Sequence, residues 1–245
     1  MAICIYIFVL GDASHFKGGD NAGDPNDGDL FGTMYKGGKL VPIGISYFLM
    51  LIVFSIERFI VIGKASGTAN VDAFVRKIQA ALSTGNIDAA SAECDKQKGS
   101  VANVIKAGLK KYKEMEVDQT LDVDQKTLAI QKDIEEATAL EMPMLEQNLT
   151  IIATLVSIGT LTGLLGTVIG MINAFAELAG AATNTSKLSA AISEALVNTA
   201  LGISTSTVSI IMYNVFTSKI DGLTYAIDET GFSIVQTFAA SHKNK

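Results

Sequence analysis

Two long apolar runs near the C-terminal end dominate the chain. No charged residue occurs in the 30 positions between Glu146 and Glu177, which as a helix at about 1.5 Å per residue is roughly 45 Å, more than the ~30 Å hydrocarbon thickness of a bilayer. Between Lys187 and Lys219 only Glu194 is charged, so residues 188–218 can cross as well if that carboxylate is accommodated. A third run, Leu40 to Ile56, is uncharged and continues through Glu57-Arg58 to Lys64, with Pro42 in its first turn, where the missing N–H costs nothing. The pattern predicts three transmembrane helices, over 40–63, 144–176 and 188–218. Met142-Pro-Met144 is expected to break or kink the chain where it enters the second.

Elsewhere the chain is polar. Residues 1–10 are apolar but too short to span, so they read as a membrane-associated segment: the tail of a further membrane helix if Met1 is an internal start, or an interfacial anchor or disordered tip. Residues 11–39, rich in Gly and Asp, have no hydrophobic period and read as a solvated loop. Between 64 and 143 the pieces Val71–Leu82, Val101–Tyr112 and Leu121–Glu141 repeat apolar positions at three or four steps, which predicts a helical bundle. Residues 219–245 keep a helical period and should continue the last span as a helix. Of the 19 Lys and Arg, 12 fall between Arg58 and Lys132, against three in 11–39 and one in 177–187. The positive-inside rule therefore places 64–143 and 219–245 in the cytoplasm and the loops 11–39 and 177–187 outside.

Composition sharpens this picture. The mean hydropathy is +0.35 and only 18% of the 245 residues are charged, below the ~25% of globular chains. A net charge of −6 without a basic patch argues against nucleic acid as a partner. Cys4 and Cys94 stand apart with no histidine cluster nearby, so neither a metal site nor a disulfide framework is expected. His15 and His242 fall in polar segments and no nucleophile elbow or phosphate loop occurs, so no enzymatic activity and no cofactor are expected.

The apolar runs are not plain lipid anchors. Gly159, Gly163, Gly166 and Gly170 recur at three- and four-residue steps and clear one helix face for close approach of another helix, with Gly202 doing so on the last span. Glu194, Asn198, Thr199 and the Ser/Thr run 204–209 are too polar to face lipid on every side. A carboxylate at the centre of a membrane helix costs about 2.5–3.5 kcal/mol on insertion scales, which makes Glu194 a functional candidate. Glu194, Asn198 and Gly202 form an i, i+4 row, whereas Thr199 lies about 140° round from Glu194.

The stretches Gly163-Leu-Leu-Gly-Thr-Val-Ile-Gly-Met-Ile-Asn-Ala-Phe175, Ile192-Ser-Glu-Ala-Leu-Val-Asn-Thr-Ala-Leu-Gly202 and Tyr213-Asn-Val-Phe216 closely resemble the signature helices of the ExbB/TolQ/MotA proton-channel family, with ExbB nearest. The likeness extends more weakly from Leu40 to the C-terminus and includes a Glu-Arg pair at Glu57 and Arg58, which also reads as an interfacial anchor. Unlike many relatives, neither signature helix carries a proline. The resemblance implies an all-α, multi-pass protein of the bacterial inner membrane that forms a homopentameric ring. Thr167 and Thr199 would then face the channel as hydroxyl relays or water-binding groups, with Glu194 a proton-path or helix-contact residue, Asn198 on the proton path and Gly163, Gly166, Gly170 and Gly202 in helix packing. It further implies two copies of a single-span ExbD-like partner whose membrane aspartate titrates in the pore, and a TonB-like protein served by the complex. The second and third spans would line the interior and the first would face lipid. A TolQ-like envelope subunit, a MotA-like motility stator, or a non-conducting membrane scaffold are the alternatives.

Overall fold

The computed structural model describes residues 1–179 and 185–242. Their order is α1 (Ala2–Cys4), a π-helical turn (Ile5–Leu10), α2 (Leu30–Tyr35), α3 (Val41–Ala65), α4 (Val71–Ser83), α5 (Ile87–Gln97), α6 (Gly99–Val117), α7 (Val123–Glu146), α8 (Leu149–Ala179) and α9 (Thr185–His242). Among the described residues no strand occurs, and three helical segments, ending at Ala65, Ala179 and His242, are long and apolar enough to cross a membrane. The centre of the expected 177–187 loop lies outside the described residues. The chain divides into two units, Met1–Ile56 with Thr150–Tyr213, and Glu57–Leu149 with Asn214–Lys245.

In the first unit the N-terminal segment is helical rather than a disordered tip. It buries Ala2 and Leu10 against Val41 and Ile45, while Tyr6 stacks on Tyr35 and its hydroxyl donates to the Tyr35 carbonyl at 2.9 Å. Residues 11–39 are largely exposed, and short capped turns order them. Asp12 and Asp29 cap short helical turns through Ser14 N–H and through Phe31 and Gly32 N–H. His15 Nδ1 meets Asp29 Oδ2 at 2.7 Å, and Phe16 is 3% exposed. Gly32 is needed here, since a Cβ would sit 2.7 Å from the His15 carbonyl. Side-chain caps and one buried aromatic order this segment, and neither leaves a hydrophobic period.

The glycines of α8 and α9 bring these two helices together. A Cβ on Gly163 would lie 3.2 Å from Thr199 Cα and one on Gly170 2.6 Å from Ala195 Cβ, while one on Gly202 would lie 2.5 Å from the Gly159 carbonyl. The small-residue face of α8 is thus filled by α9 of the same chain. Spacing reveals that a face is cleared but not which helix fills it.

The second unit is a bundle of α4–α7 with the C-terminal part of α9. Val101, Ile105, Leu109, Ile130, Ile227 and Phe238 are among its buried residues, with Tyr112 edge-on to Phe238 at 4.9 Å. Asn70, Asn86 and an Asp122/Gln125 capping box start α4, α5 and α7. Helix α5 is not among the expected pieces, because Ile87 is the one large apolar residue on its buried face, beside Ala90, Cys94 and Gln97. The break expected at Pro143 is displaced as well. Pro143 lies inside α7, and the chain turns at Gln147 and Asn148, the latter at φ +63°, a conformation asparagine tolerates better than most residues.

Candidate functional site

Helices α8 and α9 position most of the residues singled out in the sequence. Thr199 Oγ1 donates to the Gly163 carbonyl at 3.0 Å, across the gap that Gly163 and Gly202 open. One turn or two further along, Ser206 Oγ donates to the Val156 carbonyl at 2.6 Å and pairs with Thr160 Oγ1 at 2.8 Å. Ser206 carries no family signal in the sequence, yet it is the second hydroxyl stitch of the pair. Thr199 therefore uses its proton on helix packing and offers only its lone pairs to an incoming water. Thr167 lies elsewhere: its hydroxyl donates to Leu164 O in its own helix at 2.7 Å.

Glu194 and Asn198 meet the turn that begins the first apolar helix. Asn198 is 5% exposed and its Nδ2 donates to the Gly37 carbonyl at 2.8 Å, so it is a buried packing contact rather than a residue on an open channel wall. The Glu194 carboxylate lies against Gly38, whose φ is +76° and where any Cβ would collide with Oε1. Glycine is required there on both counts. Glu194 itself is half-buried. One face of α9 thus reads the Gly37-Gly38 turn with an amide and a carboxylate, a contact that the spacing of Glu194 and Asn198 permits but does not identify.

The polar run of α9 splits between two environments. Asn198, Thr205, Ser206 and Ser209 are buried inside the unit, whereas Ser204 and Thr207 are exposed. On α8 the hydroxyl residues Thr150, Thr154, Ser157 and Thr160 are exposed and share one side of the helix, with half-exposed Thr167 on its edge, and the same side continues through exposed Leu161, Leu164, Val168, Ile172 and Phe175. Thr154 and Thr167 bond back to their own helix carbonyls, which lowers the penalty of polarity while leaving lone pairs for water. The exposed positions of α3 in this unit, Ile43, Met50, Ile52, Val53 and Ile56, are all apolar, as lipid contact requires.

In the second unit Arg58 departs from expectation. An interfacial anchor reaches toward water, but Arg58 is 0% exposed. Its Nη1 donates to the carbonyls of Met144 and Leu145, and Nε donates to Glu57 Oε2 at 2.6 Å. Asn148, absent from the sequence-based candidates, completes the group. Burial also pushes the Cys94 thiol up to about 12. Among the described residues no group of His, Cys, Asp and Glu is arranged to hold a metal ion.

A family model described as the MotA/TolQ/ExbB proton channel family matches residues 96–229. A putative biopolymer transport protein ExbB-like 3 of Synechocystis sp. is 35% identical over 88 residues, 35% of this chain and 42% of that protein. The Tol-Pal system protein TolQ of Pseudomonas aeruginosa is 27% identical over 177 residues, 70% of this chain and 77% of that protein. The chain thus spans less than half the length of the first relative.

Proposed function

From the premise that this chain belongs to the MotA/TolQ/ExbB proton channel family, we propose that it is the channel-forming subunit of an inner-membrane energy transducer. In this reading it has no enzymatic activity and passes protons down the proton motive force. A single-span ExbD-like partner with a membrane aspartate moves in response and powers transport at the outer membrane, through a TonB-like protein. The observation that carries the reading is the row of exposed hydroxyls Thr150, Thr154, Ser157 and Thr160 near the start of α8. Lipid offers such groups no partner, so they belong against water or another protein.

One chain with three spans cannot enclose a lumen. Copies that each turn the α8 hydroxyl side inward make a closed ring, with α3 left toward lipid. Five copies around two partner helices, the arrangement the family resemblance implies, cannot all be equivalent, so the partner meets changing surroundings as it turns. Each elementary charge crossing releases about 2.3 kcal/mol per 100 mV. Glu194 stands where protons enter from the side of the 11–39 segment, and Thr167 and Thr199 bind water along the way.

The length of the match to TolQ favours one alternative, a Tol-Pal-type envelope subunit with the same channel chemistry. Native mass spectrometry of the complex purified with its partner tests the assembly. Five copies with two of a single-span protein is the expected composition, and a dominant monomer or dimer contradicts the ring. Genetic rescue of a strain lacking its Tol-Pal subunit, against one lacking its ExbB, separates the two roles.

A further inference from the structure

The break between α7 and α8 is closed by a side chain from another helix. In a continuous helix the carbonyls of Met144 and Leu145 would accept from the N–H groups of Asn148 and Leu149. Here the backbone ladder of α7 stops with Gln147 N–H to Pro143 O at 3.0 Å, because Gln147 is extended at ψ 140° and Asn148 is left-handed at φ +63°. Arg58 takes over both vacated acceptors: its Nη1 lies 3.0 Å from Met144 O and 3.1 Å from Leu145 O. The other edge of the same guanidinium holds Glu57, Nε to Oε2 at 2.6 Å and Nη2 to Oε1. Asn148 Nδ2 returns to Glu57 Oε2 at 3.2 Å. Both sides of the break are thereby tied to one ion pair on α3.

We propose that Arg58 is an external cap that fixes where α7 ends and α8 begins, held in place by Glu57 and Asn148, and that these three are positioning residues for proton passage. The positioning part rests on the channel reading above; the capping part does not. The planar fork matters, since one group must satisfy two carbonyls and two carboxylate oxygens from opposite edges. A lysine ammonium has the charge but not that geometry. The buried guanidinium also needs Glu57, without which its charge is uncompensated. A site designed only to meet the headgroup region would leave Arg58 exposed, and it is fully covered.

Hydrogen exchange on the full chain, in nanodiscs with its partner, reads the cap directly. In Arg58→Lys and Arg58→Gln the amides of residues 144–147 should exchange at least tenfold faster, while those of α4–α6 keep wild-type rates. Asn148→Gly accepts the positive φ and keeps Arg58, so it should accelerate the same amides less. Proton flux should fall at least tenfold in Arg58→Lys. Wild-type exchange at 144–147 in folded Arg58→Lys overturns the cap, and so does uniform acceleration through α4–α6. Local acceleration with undiminished flux overturns the positioning role. Should Arg58 variants fail to fold, Glu57→Gln and Asn148→Gly carry the same test. If wild type passes no protons, the channel reading fails, while the exchange data still decide the cap.

Discussion

The hydroxyl of Thr199 donates to the carbonyl of Gly163 at 3.0 Å, from one apolar helix to the other within a single chain. The bond exists because Gly163 and Gly202 have no side chains, which lets the two backbones approach until a threonine on one reaches the main chain of the other. Packing and chemistry meet at this residue, so substitutions separate them. Thr199→Val removes the hydroxyl at nearly constant volume. It should lower proton-driven function while the protein still inserts and assembles, and normal activity at normal expression reduces Thr199 to packing.

Enlarging the glycines tests the approach itself. A Cβ at Gly163 would press on Thr199 Cα and Gly202 Cα, and one at Gly166 would strike the Asn198 Cβ. Backbone atoms cannot yield as a flexible side chain does, so Gly163→Ala and Gly166→Ala should each destabilise by about 1–3 kcal/mol. Gly222 has nothing within 4 Å of its Cβ position and is exposed in α9. Gly222→Ala should therefore be neutral or stabilising by up to ~1 kcal/mol. Thermal unfolding of the detergent-purified variants distinguishes these signs.

Much of this architecture was legible in the sequence. Runs without charge identify the three helices able to cross a membrane because length and hydropathy need no knowledge of partners. What stayed hidden depends on which group meets which. The spacing of Gly163, Gly166 and Gly170 announces a close contact but leaves open whether the other helix is in the same chain. Asn198 looks like a lumen residue until its amide is found on Gly37. Arg58 looks like an anchor because nothing local tells that two carbonyls 86 and 87 residues away lack donors.

Topology has to be probed at exposed positions. Cys94 is 2% exposed and its thiol is pushed up to about 12 by burial, so failure to label it says nothing about sidedness. In a chain with Cys4 replaced by serine, Lys110→Cys should resist a membrane-impermeant thiol reagent on intact cells, whereas Asp20→Cys should react. The reverse pattern inverts the orientation.

Acid should loosen the 11–39 segment at Asp29. The hydrogen bond from His15, followed by the backbone N–H of Gly32, holds this carboxyl below the ordinary range. A depressed folded-state value stabilises fully above the ordinary Asp value of about 3.9 and is lost as pH falls through the lower folded value. Exchange of the Phe31 and Gly32 amides, referenced to the intrinsic rate, should be flat from neutral pH to about 5 and rise only in stronger acid. Asp29→Asn should remove that rise.

Proton passage past the α8 hydroxyls with Glu194 at the entry, as proposed, can be measured directly. The direct measurement is potential-driven proton uptake by liposomes containing the complex with its partner, comparing wild type with Glu194→Gln and with a Thr160→Val, Thr167→Val double substitution. Voltage-dependent flux is expected in wild type, reduced about tenfold or more in both variants at unchanged assembly. Equal flux in all three, or flux from this chain without its partner, would contradict this reading.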